Sequence, residues 1–144
     1  MLKLSEAVML GSLVVTPQAG LLLLPYHDGT LHGCALGMAC KAAGIDVFPD
    51  ADQYSLNVIC DNWPWTEGPW TVRAPCGCRF SVDNERSIAS LIAHIFDFHV
   101  AGPAHPSQRW TLEQLVDWIR EHEPQEEPIQ AEPAIVNAEA LLCP

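Results

Sequence analysis

The sequence predicts an α+β fold, a small and mainly helical domain with a short β-hairpin and an extended acidic tail. Three observations carry that reading. Ile88, Leu91, Ile92, Ile95 and Phe96 recur at helical spacing, as do Leu112, Leu115, Val116, Trp118 and Ile119. The short apolar run Leu21–Leu24, the turn signal Asp28-Gly29 and the return through Thr30 and Leu31 describe a hairpin. From Glu123 to Pro133 the chain is rich in Glu, Gln and Pro and has no basic residue, the composition of an extended charged linker. The expected organisation is one globular domain over residues 1–122, then a linker and apolar end over 123–144.

Taken in order, Ser5 is expected to cap a first helix over Glu6–Leu13, with Glu6 against the positive end of its dipole. Leu4, Val8 and either Met9 or Leu13 would face the core, and Pro17 and Gly20 would end the element. Gly33–Ala43 is dense in helix formers and closes with Gly44, a natural residue just past a helix end. Its small residues Ala35, Gly37, Ala39 and Ala42 permit close packing. Cys34, at the first turn with His32 nearby, has the setting of an activated thiol; a buried small hydrophobe is the plainer reading.

Residues 45–75 read as irregular, with Val58-Ile59-Cys60 the strand-like run. Trp63, Trp65 and Trp70 lie among prolines that oppose helix formation. They form either a recognition surface or a lid over the core. Asp83 or Asn84 is expected to cap the helix that carries His94. Thr111-Leu-Glu-Gln114 is a capping box that opens the last helix, and His122 sits near its negative pole.

The chemistry-bearing cluster is Cys76-Gly-Cys78, fifteen residues, then His94-Ile-Phe-Asp-Phe-His99. Two thiolates and two imidazoles make a full tetrahedral set for Zn²⁺, so the predicted fold is zinc-stabilised. On an unbroken helix His94 and His99 would lie about 140° apart, so the helix must fray or tighten before His99. The stop signal Gly102-Pro103 follows closely. Cys-x-Cys is tighter than the usual knuckle, and Gly77 relieves it by allowing positive φ. His105 and Cys60 stand as reserve ligands.

Composition excludes several classes. Apolar content of 49% with 17% charged residues belongs to a globular chain. A net charge of −11, with only seven Lys and Arg, opposes non-specific nucleic-acid binding, although Arg73, Arg79 and Arg86 flank the cysteines. Six cysteines in a chain of this size, with a poor signal-peptide pattern at the N-terminus, suggest a reducing cytoplasm with thiols free or on metal. No run reaches the roughly 18–20 apolar residues of a membrane span.

The order Leu4-Ser5-Glu6-Ala7-Val8, Cys34-Ala-Leu-Gly37, the cysteine pair, His94-Ile-Phe-Asp97-Phe-His99 and Trp110-Thr-Leu-Glu-Gln-Leu-Val-Asp-Trp118 resembles a group of small uncharacterised bacterial and phage proteins. That group has a Cys-Pro-x-Cys knuckle, a His-Leu-Asn-Asp-x-His stretch and a Trp-Thr-Arg-Glu-x-Ile-Ala-Asp-Trp helix. Here the knuckle is one residue tighter, Phe96 replaces Asn, and Ala101–Ser107 lengthens the path to Trp110. The resemblance implies a small metal-bearing fold and no particular reaction.

Three functions are therefore weighed. A four-ligand zinc site is structural, which suits an interaction or accessory module that engages a protein partner or its own copy through Trp63, Trp65, Trp70 and the C-terminal segment. A zinc hydrolase would need an open metal position and a base, Asp97 or Glu85. A nucleic-acid-binding zinc finger would need the three arginines on one face.

Overall fold

The computed structural model describes residues 1–47, 56–70, 73–78 and 86–125. Helix α1 spans Leu4–Gly11, and strands β1 (Val15–Pro17), β2 (Leu23–Pro25) and β3 (Leu31–Gly33) follow. Helices α2 (Ala35–Ala42) and α3 (Asn57–Asn62) lead to a short 3₁₀ turn over Pro64–Glu67. Strands β4 (Pro69–Trp70) and β5 (Arg86–Ser87) precede α4 (Ile88–Ile95), a π-helical turn (Phe96–Val100), a 3₁₀ turn (Pro106–Gln108) and α5 (Leu112–His122). The chain is thus a mixed helix-and-strand fold in which helices predominate. The hairpin is real: β2 and β3 pair antiparallel around Gly29, whose φ of 86° is the left-handed conformation that favours glycine. The sequence pattern does not reveal β1, which pairs in parallel with β3 and gives the sheet order β1-β3-β2. A three-residue strand ending in Pro17 carries too little period-2 pattern to be recognised alone.

The core is helical. Leu4, Ala7 and Val8 of α1, Leu36, Met38 and Ala39 of α2, Leu91, Ile92 and Ile95 of α4, and Leu115 and Ile119 of α5 are fully buried. Met9 and Leu13 are exposed instead, because the buried face of α1 runs through Leu4, Ala7, Val8 and Gly11, and Leu13 lies beyond the helix. A Cβ on Gly11 would lie 1.9 Å from the Met38 carbonyl oxygen, so the two helix backbones touch there. Gly37 is equally constrained: its Cβ would fall 1.5 Å from the Leu22 carbonyl oxygen, where α2 crosses the segment before β2.

Three local expectations are corrected. Val58-Ile59-Cys60 lies in α3, with Ile59 buried, because so short an apolar run does not separate strand from helix. Ser5 does not cap α1; Lys3 holds that position, and Glu6 reaches back to its backbone N–H at 3.4 Å. Ser87 caps α4 by accepting from the Ser90 N–H at 3.1 Å, whereas the expected caps Asp83 and Asn84 lie outside the described residues. The capping box of α5 forms as expected, between Thr111 and Gln114. Residues 126–144, which include the apolar C-terminal segment, also lie outside the described residues.

Candidate metal centre

The knuckle is made by a tight turn. The Gly77 N–H donates to the Ala74 carbonyl at 2.9 Å, and Gly77 has φ 85°, the positive value its position requires. Arg73 folds over the turn and donates to the Gly77 carbonyl through Nε (3.4 Å) and a terminal nitrogen (3.1 Å). The knuckle therefore closes on itself and presents both sulfurs from one short loop.

The histidines arrive by a different route from the one expected. The helix does not tighten after His94; it widens. Phe96–Val100 forms a π turn in which the Ala101 N–H donates to the Phe96 carbonyl at 2.9 Å, a link across five residues. A turn closed across five residues brings positions five apart onto one side, as an α-helical turn does for positions four apart. His94 and His99 consequently face one another, with ring centroids 5.4 Å apart. The chain then reverses at Gly102, where a Cβ would lie 1.9 Å from the Asp97 carbonyl oxygen.

The extra residues after this reversal clamp His99. Its Nδ1 pairs with the Gln108 carbonyl at 2.8 Å, and its own carbonyl accepts from the Trp110 N–H at 2.9 Å. A carbonyl can only accept, so Nδ1 carries the proton and Nε2 is left as the lone-pair donor. That Nε2 stands 3.3 Å from Cys78 Sγ. His99 is 2% exposed, which makes it the most buried of the four. Orientation of a ligating imidazole through its second nitrogen is the usual way such a ligand is held.

One ligand atom each from Cys76, Cys78, His94 and His99 lie within 4.8 Å of one another, so this group can hold a metal ion. Tetrahedral zinc with such donors has ligand atoms about 3.3–3.8 Å apart, so a contraction of the group would be needed to reach that geometry. Burial, followed by competition with the neighbouring His99 for a proton and by the charge of Arg86, holds the His94 imidazole below the usual histidine pKa, in the neutral form that binds metal. Burial raises the Cys76 thiol; the Cys78 backbone opposes the shift and the Cys78 side chain adds to it. Two thiols this close resist losing both protons, and a bound cation reverses that preference.

The reserve ligands stand elsewhere. His105 is exposed and accepts from Ser107 N–H at 3.2 Å, capping the 3₁₀ turn. Cys60 lies against the Thr66 hydroxyl at 3.8 Å and does not join the group. Cys34 is buried, and burial pushes its thiol up to about 11, the opposite of an activated nucleophile. Asp97 does not join the group; its carboxylate accepts from the Gly20 N–H at 3.0 Å. Glu85 and Arg79 lie outside the described residues. Of the tryptophans, Trp63 is buried, with its indole N–H on the Leu2 carbonyl at 3.0 Å. Trp65 and Trp70 are half-buried, and Trp70 meets Trp118 edge-on at 5.3 Å.

Two contributors gave no sequence signal. Gln108 acts through its backbone carbonyl, which any residue has. A cavity of about 220 Å³, bounded by Phe98, Pro103 and Ala104, also borders Cys78, His94 and His99. Among the described residues no helix is long and apolar enough to cross a membrane. No family model, curated protein or solved structure matches this chain.

Proposed function

We propose that the chain is a small structural-zinc protein that serves as a protein–protein interaction or accessory module. The observation that carries the metal assignment is the convergence of two sulfurs and two imidazole nitrogens within 4.8 Å, on a buried His99 already oriented by Gln108. A Cys₂His₂ donor set with tetrahedral reach favours Zn²⁺ over harder cations. Four protein ligands fill the coordination sphere, which leaves the metal a scaffolding role in tying the knuckle loop to α4 and its π turn. An acidic chain with half-buried Trp65 and Trp70 and an apolar end at residues 134–142 has the chemistry of a surface for another protein or a second copy.

The test is X-ray absorption at the zinc edge on purified protein. Two sulfur and two nitrogen neighbours at one zinc per chain support the reading, and an oxygen neighbour from water removes it. The partner claim is tested separately by truncation after Gln125. A fall in oligomer mass or in partner recovery, with stability retained, supports docking of the tail in trans; no change in either removes it.

The cavity beside Cys78, His94 and His99 supports a second reading, a zinc hydrolase with an open metal position. Asp97 does not supply its base on the metal side, because its carboxylate is held at Gly20. The same absorption experiment separates the two.

A further inference from the structure

A second cavity, of about 230 Å³, opens between the Gly20–Leu22 segment and α4, and shares His94 and Phe98 with the cavity beside the metal group. Leu21, Leu22, Leu56 and Phe98 give it apolar walls, and Asp97 and Arg86 bring one charge of each sign to the same space. Asp97 is fixed rather than mobile: it stands on the π turn, and one carboxylate oxygen accepts from the Gly20 N–H at 3.0 Å. Arg86 stands on β5 at the start of α4, and its five N–H donors can serve a ligand together with other acceptors.

We infer that this cleft binds a small zwitterion with an apolar side chain, of the size and chemistry of an aliphatic α-amino acid. Its ammonium lies toward Asp97, its carboxylate toward Arg86, and its side chain against the leucines and Phe98. The other ligand classes each leave a cost. A simple anion meets the Asp97 carboxylate, a simple cation makes no use of the Arg86 donors, and a wholly apolar molecule covers the carboxylate without replacing its water. The volume is below the roughly 300–1,000 Å³ of sites for drug-sized ligands, so the ligand has few heavy atoms. His94 contributes to the wall of this cleft and also to the metal group, yet nothing here needs an open metal position. The inference therefore stands apart from the proposed scaffolding role.

The test is calorimetric titration of the full chain, metal-loaded as purified, with L-leucine, isoamylamine and isocaproate. Leucine carries both charges and each analogue lacks one. Leucine is expected to bind, and each analogue about tenfold more weakly or worse. Asp97→Asn still accepts from Gly20 and is expected to erase the preference for leucine over isocaproate. Arg86→Gln is expected to erase the preference over isoamylamine. Ala93→Leu, which fills the cleft from α4, is expected to block leucine altogether. Metal content and melting temperature are read on every variant, so loss of the metal group is seen separately from loss of the ligand. No heat with leucine at millimolar concentration, equal affinity for all three compounds, or unchanged affinity in the variants would overturn the inference.

Discussion

Glu123 reaches across from the end of α5 and caps the first turn of α1 through Ser5. Its carboxylate accepts from the Ser5 backbone N–H at 3.1 Å and from the Ser5 hydroxyl. Both residues are buried, Glu123 at 4% exposure and Ser5 at 1%. An N–H at a helix start has no intrahelical partner, and a negative charge there meets the positive end of the dipole. Position 123 is thus where α5 is fastened to α1, although its sequence surroundings read as the opening of a linker.

Glu123→Ala is therefore expected to destabilise the protein by about 1–3 kcal/mol, since it strands two buried donors. Glu121→Ala, on the exposed side of the same helix, is expected to shift stability by no more than about 0.5 kcal/mol. Urea titration of the two variants checks the difference. Equal stabilities would mean that the carboxylate contributes nothing.

Close backbone approach gives a second expectation. Gly37→Ala places a methyl 1.5 Å from the Leu22 carbonyl oxygen, against backbone that cannot rotate away. Gly44→Ala meets no atom within 4 Å but forces an L residue to φ +71°. The first is expected to cost about 3 kcal/mol or more, and the second about 1–2 kcal/mol. Thermal melts that reverse this order would show that α2 can slide away from Leu22.

How much of this was legible follows from the range of each interaction. The apolar stripes of α4 and α5, the Thr111–Gln114 box and the Gly29 turn are local patterns, and they appear where their residues predict. The four ligand candidates come together, because a loop with Gly77 and a helix with His94 need only residue type and spacing to be recognised. The widened turn at Phe96–Val100 is different. Spacing shows that an ordinary helix cannot join His94 to His99, but tightening and widening both remove the conflict. The choice is made by the loop that folds under His99 and reaches it through Gln108 and Trp110. Glu123 was illegible for a related reason: a single residue pairs across 118 positions, and its neighbours carry the opposite message.

Buried thiols set a limit at alkaline pH. Burial raises Cys34 to about 11 and Cys40 to about 12, from an ordinary value of 9.0. Above pH 9 the unfolded chain releases these protons while the folded chain keeps them, so stability falls as pH rises from about 9 toward 11 and 12. The contribution is fully present below pH 9. A urea midpoint that declines over this window, and declines less in Cys34→Ala, is the expected result. A midpoint that is flat there would mean that neither thiol keeps its proton on folding. Below the window, a thiol-specific reagent is expected to modify Cys34 and Cys40 only as fast as the protein opens.

The last expectation concerns the metal, and it turns on which histidine is held. His99 is 2% exposed with Nδ1 on a backbone carbonyl, whereas His105 is exposed and occupied in capping a turn. Cys78→Ser and His99→Ala are each expected to lose zinc, and His105→Ala to keep it. Metal loss is also expected to loosen the protein, because an ion held by these four side chains would join a loop to a helix, and its binding energy would be coupled to folding. The fold has its own apolar core in Leu91, Ile92, Ile95 and Phe96, so the metal-free form is expected to stay folded, with stability lower by several kcal/mol. Zinc per chain by elemental analysis, with melts in and out of strong chelator, checks each step. Chelator should bring the wild-type melting temperature down to that of Cys78→Ser and leave Cys78→Ser itself unchanged. Zinc retained by both Cys78→Ser and His99→Ala would place the ion somewhere other than between the knuckle and the π turn.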